Sequence, residues 1–340
     1  MSTNPDTGRR RTRPDDDLVR VISGWLARHV SDQELRTELE QVRRDSLAEE
    51  QAEAVEELQA ELEAGGERAE LEMVARETLE AAGERARGAT LFVTLEPCAH
   101  HGSTPPCAEA VVAAGVRRVI AGARDPNPKV DGKGFERLRA AGIEVEVVDS
   151  WEARRQNEGW RVWISRGRPF VTYKVAITLD GRVAVPGSRW VSGPESRRRV
   201  HELRAASDAV AVGMGTVRAD DPALTARDVG AERQPRRLAF GRGPLPDGSE
   251  LELRPRPPAE ELAALAGEGV QTLLLEGGPT LAAAFLAGDL VDKLLVFVAP
   301  KLAGEGPGAV AALPEPRSLT RLSCERVGED VLLTAYVHEP

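Results

Sequence analysis

Two cysteines and two glycine-lined turns carry the chemistry that residue type and spacing suggest in this 340-residue chain. Cys98 follows Glu96-Pro97 after the short β-type run Thr90 to Leu95, and Cys107 opens a helix. Thiolates at a strand end and a helix start can converge on one metal ion, and the positive helix end favours deprotonated sulfur. Two cysteines alone are also compatible with ordinary buried thiols. Farther along, Glu276-Gly277-Gly278-Pro279-Thr280 joins the run Thr272 to Glu276 to a helix. Glycine lets backbone approach a phosphate, proline suits a first helical turn, and the amides exposed there attract an anion. Gly213-Met214-Gly215-Thr216, after the run Ala209 to Val212, is a second such strand end. Each alone reads first as a tight turn; two at one sheet edge suggest a cleft for a dinucleotide or phosphorylated ligand.

The elements that must position these residues alternate. Between 88 and 150, runs at 90–95, 118–122 and 143–148 are separated by helices at 107–115 and 135–141, which predicts a three-layer α/β unit with parallel strands. Residues 151–167 read as a linker carrying one helix, Trp151 to Arg166. A second α/β region, 168–340, begins with the long strand candidate Phe170 to Leu179. It continues through helix 195–205, strand 209–212, a charged Pro-rich stretch from Arg227 to Pro258, helix 259–266, strand 272–276, a helix to Leu286, strand 293–299 and two further apolar runs. Upstream, 1–17 reads as a disordered leader. Residues 18–87 read as amphipathic helices with acidic outer faces, opened by capping boxes at Ser31/Glu34 and Ser46/Glu49.

Composition narrows the class. A chain 41% apolar and 29% charged has enough material for buried cores. No apolar run reaches the ~18 residues of a membrane span, no secretory signal is visible, and three cysteines make no disulfide framework, so the expected compartment is the cytoplasm. A net charge of −10 disfavours a nucleic-acid partner. Most of that charge lies in residues 1–88, where 13 Arg face 22 Asp and Glu.

Zinc nucleobase deaminases combine a Pro-Cys…Cys pair with a His-x-Glu, whose Glu shuttles protons. Residues 94–107, Thr-Leu-Glu-Pro-Cys-Ala-His-His-Gly-Ser-Thr-Pro-Pro-Cys, and 125–134, Asp-Pro-Asn-Pro-Lys-Val-Asp-Gly-Lys-Gly, resemble the deaminase half of a bifunctional riboflavin-biosynthesis family. That family comprises the diaminohydroxyphosphoribosylaminopyrimidine deaminase/5-amino-6-(5-phosphoribosylamino)uracil reductases. The resemblance implies a cytidine-deaminase-like fold, with Cys98 and Cys107 at the two zinc-cysteine positions and Glu70 at the proton shuttle. Where the family has His-Ala-Glu, this chain has Arg68-Ala69-Glu70. Guanidinium offers a metal no lone pair, so the zinc site is incomplete and deamination is expected to be lost. His100 and His101 are alternative nitrogen donors, and a site rearranged around Glu70 would keep some activity.

Residues 168–182, 204–227, 276–281 and 299–304 resemble the reductase half of the same family. The resemblance implies a dihydrofolate-reductase-like fold, NADPH as cofactor, a phosphoribosylated pyrimidine as substrate and a homodimer formed through this half. Ala176, Trp190, Thr216, Asp220 and the turn Gly278, Pro279, Thr280, Leu281 fall at cofactor positions; Ser188, Arg204, Leu224 and Arg227 fall at substrate positions, with Glu276 beside both ligands. Arg204 and Arg227 could grip a phosphate bidentately, and Trp190 offers a flat apolar wall. A shortened Pro186-Gly187 turn and Phe240-Gly-Arg-Gly-Pro244, where the family has Asp-Ser, put the preference for NADPH over NADH in question. Three other readings stay open: a full bifunctional enzyme with unorthodox zinc ligation, a related reductase on another pterin-like substrate, and a non-enzymatic scaffold presenting the acidic helices.

Overall fold

The computed structural model describes residues 86–100, 106–231 and 233–340, and the chain divides into two compact units between Gln156 and Asn157. The leader, the acidic helices to residue 85, Arg68, Glu70 and His101 lie outside the described residues.

The described part of the first unit is a parallel sheet ordered β1 (Thr90–Val93), β2 (Arg118–Ala121), β3 (Glu144–Val147). Parallel neighbours require crossovers, supplied by α1 (Cys107–Ala113) and α2 (Lys133–Ala140). Ala108, Val116, Val119, Leu138 and Ile143 form the core between them. The unit closes with α3 (Trp151–Gln156).

The single helix expected over 151–166 is two. Asn157, at φ −106° and ψ 23°, breaks it before α4 (Glu158–Arg166). Apolar spacing continues through such a break, so periodicity does not reveal it.

The second unit is built on eight strands ordered β10-β11-β9-β4-β8-β5-β6-β7. Their ranges are β4 (Phe170–Thr178), β5 (Ala209–Gly213), β6 (Arg236–Phe240), β7 (Glu252–Arg254), β8 (Thr272–Leu275), β9 (Lys293–Ala299), β10 (Thr320–Val327) and β11 (Asp330–Tyr336). All neighbours are parallel except the C-terminal pairs β9–β11 and β10–β11. With α4, the helices of this unit are α5 (Pro194–Ala205), α6 (Met214–Asp220), α7 (Pro258–Gly267) and α8 (Pro279–Ala287). Residues such as Val171, Tyr173, Leu238, Leu275 and Phe285 form the larger core, where Phe240 meets Phe285 edge to face at 5.3 Å. Central strands buried on both faces read as continuous apolar runs, as β5 does. Two strands lie inside the charged 227–258 stretch. β6 and β7 carry Arg236, Arg254 and Glu252 in an ion-pair ladder with Glu268, which hides them from an apolar pattern.

Candidate active site

In the first unit the Glu96-Pro97-Cys98 segment is fixed by its own acid. Glu96 is 3% exposed, and its carboxylate accepts the backbone N–H groups of Gly134 (2.9 Å), Gly132 (3.0 Å), Phe135 (3.3 Å) and Asp125 (3.4 Å). The amides at the start of α2 thus solvate the charge. Gly134 has to be glycine, because a Cβ there would lie 1.8 Å from the Pro97 carbonyl oxygen. Cys98 is held at the start of α1: its carbonyl accepts the Ala108 N–H at 3.0 Å and its Sγ accepts the Cys107 N–H at 3.4 Å. Neither thiol is in a disulfide, and the Cys98 sulfur lies at the Cys107 backbone. The Nδ1 of His100 is buried without a hydrogen-bond partner. Among the described residues, however, no group of three His, Cys, Asp or Glu could hold a metal. Zinc takes four ligands, at least three of them from protein. The described residues supply a sulfur pair and do not complete that set.

The second unit has an open cleft of about 370 Å³ at the ends of the central strands. Eight of the residues singled out from sequence line it: Ala176, Trp190, Arg204, Thr216, Asp220, Glu276, Gly278 and Pro279. Glu276 follows β8, and the side chain of Arg204 reaches it from α5 through two parallel hydrogen bonds, Nε at 2.6 Å and Nη2 at 3.0 Å. Lys174, on β4, places Nζ 3.6 Å from the same carboxylate. Burial alone would raise the Glu276 carboxyl, but the Lys174 ammonium and the Arg204 fork outweigh it and hold it below the ordinary carboxylate range. A buried anion thus lies beside the Gly277-Gly278-Pro279 turn that begins α8.

Other expected residues are placed differently. Arg204 spends its Nε/Nη2 edge on Glu276 and Nη1 on the Thr225 carbonyl, so a phosphate would meet only its remaining N–H groups. Arg227 is exposed, with Nη1 on the Thr225 hydroxyl. Leu224 is 3% exposed, and its side chain packs with Val210, Val212 and Met214; at φ 53°, a strained value for leucine, only its backbone is available to a ligand. Leu281 packs against Gly213 and Gly277, and neither it nor Thr280 lines the cleft. Ser188 donates to the Trp190 carbonyl and accepts the Trp190 N–H, closing a local turn outside the cleft lining. Gly213-Met214-Gly215-Thr216 is the start of α6 rather than a tight turn.

Sequence reasoning missed Lys174, Arg189 and Arg197, which also line the cleft. Arg189 and Arg197 lie over the Trp190 ring at 4.9 and 5.1 Å. Lys174 had one signal, a lone lysine inside an apolar strand of a chain with few lysines.

Comparison with known proteins agrees with this division. Residues 48–161 match the MafB19-like deaminase family, and residues 169–247 and 256–333 match the RibD C-terminal domain. Riboflavin biosynthesis protein RibD of Aquifex aeolicus is 39% identical over 291 residues, covering 74% of this chain and 82% of that protein. The Escherichia coli protein of the same name is 39% identical over 282 residues, covering 69% and 77%. Among solved structures, Acinetobacter baumannii RibD has 36% identity and a TM-score of 0.64, covering 76% of this chain and 83% of that one. A diaminohydroxyphosphoribosylaminopyrimidine deaminase/5-amino-6-(5-phosphoribosylamino)uracil reductase from Thermotoga maritima has 32% identity and a TM-score of 0.65, covering 78% and 84%. A deaminase-like unit followed by a reductase-like α/β unit defines the class, a two-domain deaminase/reductase. The chain belongs to the RibD family of riboflavin biosynthesis.

Proposed function

We propose that this chain catalyses the NADPH-dependent reduction of 5-amino-6-(5-phosphoribosylamino)uracil to its ribityl product, and that its deaminase unit is silent. The observation that carries the reductase reading is the Lys174–Glu276–Arg204 cluster beside the glycine turn of one cleft. When bound, NADPH supplies a hydride to the sugar C1 carbon. The accompanying proton has to reach the neighbouring nitrogen or ring oxygen, and the ammonium of Lys174, which lines the cleft, is the donor we propose. Glu276, ionised and locked by Arg204, orients that ammonium. The turn amides and Thr216 are suited to cofactor phosphates, and Trp190 gives the wall against which a planar ring packs. Arg227, with unspent N–H groups, is suited to the substrate phosphate.

The silent deaminase unit is supported by Arg68, which stands where the family resemblance puts the zinc histidine and offers a metal no lone pair. The test pairs two assays on one preparation with its zinc content measured. NADPH oxidation by the ribosylaminouracil phosphate, without ammonia release from its precursor, is the expected outcome. The contact of the Cys98 sulfur with the Cys107 backbone N–H favours a second reading, the bifunctional enzyme; stoichiometric zinc with ammonia release would establish it. NADPH oxidation only with another pterin-like compound would move the substrate assignment.

No helix among the described residues is long and apolar enough to cross a membrane. A homodimer through the second unit is supported by edge strand β10, exposed on both faces with Leu322 71% exposed. Sedimentation of the purified protein tests it.

A further inference from the structure

The cleft wall that carries Trp190 belongs to a segment, 179–192, with no helix or strand of its own. It is laced to a second segment, 300–308, that does not line the cleft. Leu179 N–H donates to the Lys301 carbonyl (2.9 Å) and Val183 N–H to the Pro307 carbonyl (3.0 Å). Arg182 Nη1 donates to the Gly306 carbonyl at 3.1 Å. The Asp180 carboxylate accepts the Thr178 hydroxyl (2.6 Å) and the N–H groups of Ala303 (3.0 Å) and Gly304 (2.8 Å). Those bonds, the Thr178 hydroxyl first, bring the Asp180 carboxyl down to about 2, so the lacing persists across the working pH range.

One side chain of the second segment reaches the wall. Lys301 Nζ donates to the backbone carbonyls of Val191 (2.8 Å) and Trp190 (3.1 Å), and among the described residues it is paired with no carboxylate. Arg197 Nη1 donates to the next carbonyl, that of Ser192, at 2.8 Å while its guanidinium lies over the Trp190 ring. The wall is therefore held by two cations that bond the consecutive carbonyls of Trp190, Val191 and Ser192. Removing Arg197 would also change the cleft lining; removing Lys301 would not.

We infer that Lys301 is a positioning residue for the cofactor: it sets the Trp190 wall through the carbonyls of Trp190 and Val191 without touching the ligand. This rests on the reading of the cleft as an NADPH site. Two charge-assisted hydrogen bonds orient the wall before binding, so their loss is felt as ordering that the cofactor must then supply.

The test compares wild type, Lys301→Met and Lys301→Arg, each also in a Trp190→Phe background, so that Trp190 fluorescence is obtained by difference from the other tryptophans. In the ligand-free protein, Lys301→Met should raise acrylamide quenching of Trp190 about twofold, and Lys301→Arg should restore it. In steady state, Lys301→Met should raise KM for NADPH about tenfold and leave kcat within about twofold, the signature of lost binding rather than lost chemistry. Unchanged quenching together with unchanged KM overturns the proposal. A kcat loss without a KM change also overturns it, because it would place Lys301 in the chemical step. Wild type that oxidises no NADPH overturns the reductase reading alone, since the ligand-free quenching comparison still decides the role of Lys301.

Discussion

The carboxylate of Glu276 and the guanidinium of Arg204, seventy-two residues apart in the chain, meet through two parallel hydrogen bonds of 2.6 and 3.0 Å at the base of the second unit's cleft. Both side chains are largely buried, 9% and 14% exposed. Removing Arg204 leaves the buried carboxylate with the Lys174 ammonium at 3.6 Å and without its two short hydrogen bonds, and an under-compensated buried charge costs more than the pair itself contributes. Arg204→Met should therefore destabilise the second unit by about 3 kcal/mol. Arg204→Lys should recover only part of this, because an ammonium cannot reproduce the fork. Denaturant unfolding followed by tryptophan fluorescence measures both.

Lys174 is the proton donor proposed above. Lys174→Met should lower kcat by about a hundredfold, within the usual range for a lost general acid, with NADPH affinity changed little. A variant that loses NADPH affinity and keeps kcat would place Lys174 in cofactor binding instead.

The low carboxyl of Glu276 makes stability depend on pH with a definite sign. Its folded-state value lies below the ordinary 4.5, so its contribution is fully present above that pH and is lost as pH falls through the folded value. The stability gap between wild type and Glu276→Gln should therefore be constant near neutrality and narrow below about pH 4.5. A gap that widens on acidification would mean that the carboxyl is raised.

In the first unit, Gly134→Ala would force a Cβ to within 1.8 Å of the Pro97 carbonyl oxygen. The loop that solvates Glu96 would have to move, and the unit should lose about 3 kcal/mol, the scale of a severe core mutation. Hydrogen exchange at Gly132, Gly134 and Phe135 should rise first, because their amides face the Glu96 carboxylate.

Cys98→Ser with Cys107→Ser should leave NADPH oxidation within about twofold of wild type, since the cleft proposed for the reduction is lined wholly by second-unit residues. The same double variant should abolish any zinc retained through dialysis. Zinc that survives it would locate the metal away from the sulfur pair.

Much of the fold was legible because its signals are local. Among the described residues β9 has the expected bounds, and, apart from the helix over 151–166, the other elements expected with stated bounds shift by a residue or two at their ends. Pro279 at the start of α8 and Pro194 at the start of α5 show why: helix starts are encoded in residues next to one another. Illegible were the break at Asn157 and the strands β6 and β7, whose arginines are paid for by glutamates on other elements.

The sequence by itself determined the family, the order of the two α/β units, the cysteine pair and the glycine turn, because each is written in a contiguous motif. Only the tertiary structure decided what Arg204 and Lys174 touch. An arginine in a motif is compatible with a phosphate or a carboxylate partner, and the choice depends on which strand end lies opposite. Parallel β4 and β8 bring Lys174 beside Glu276, and α5 lays Arg204 across both. The charges converge because burying Glu276 without them would be too costly, and that cost is visible only once burial is known.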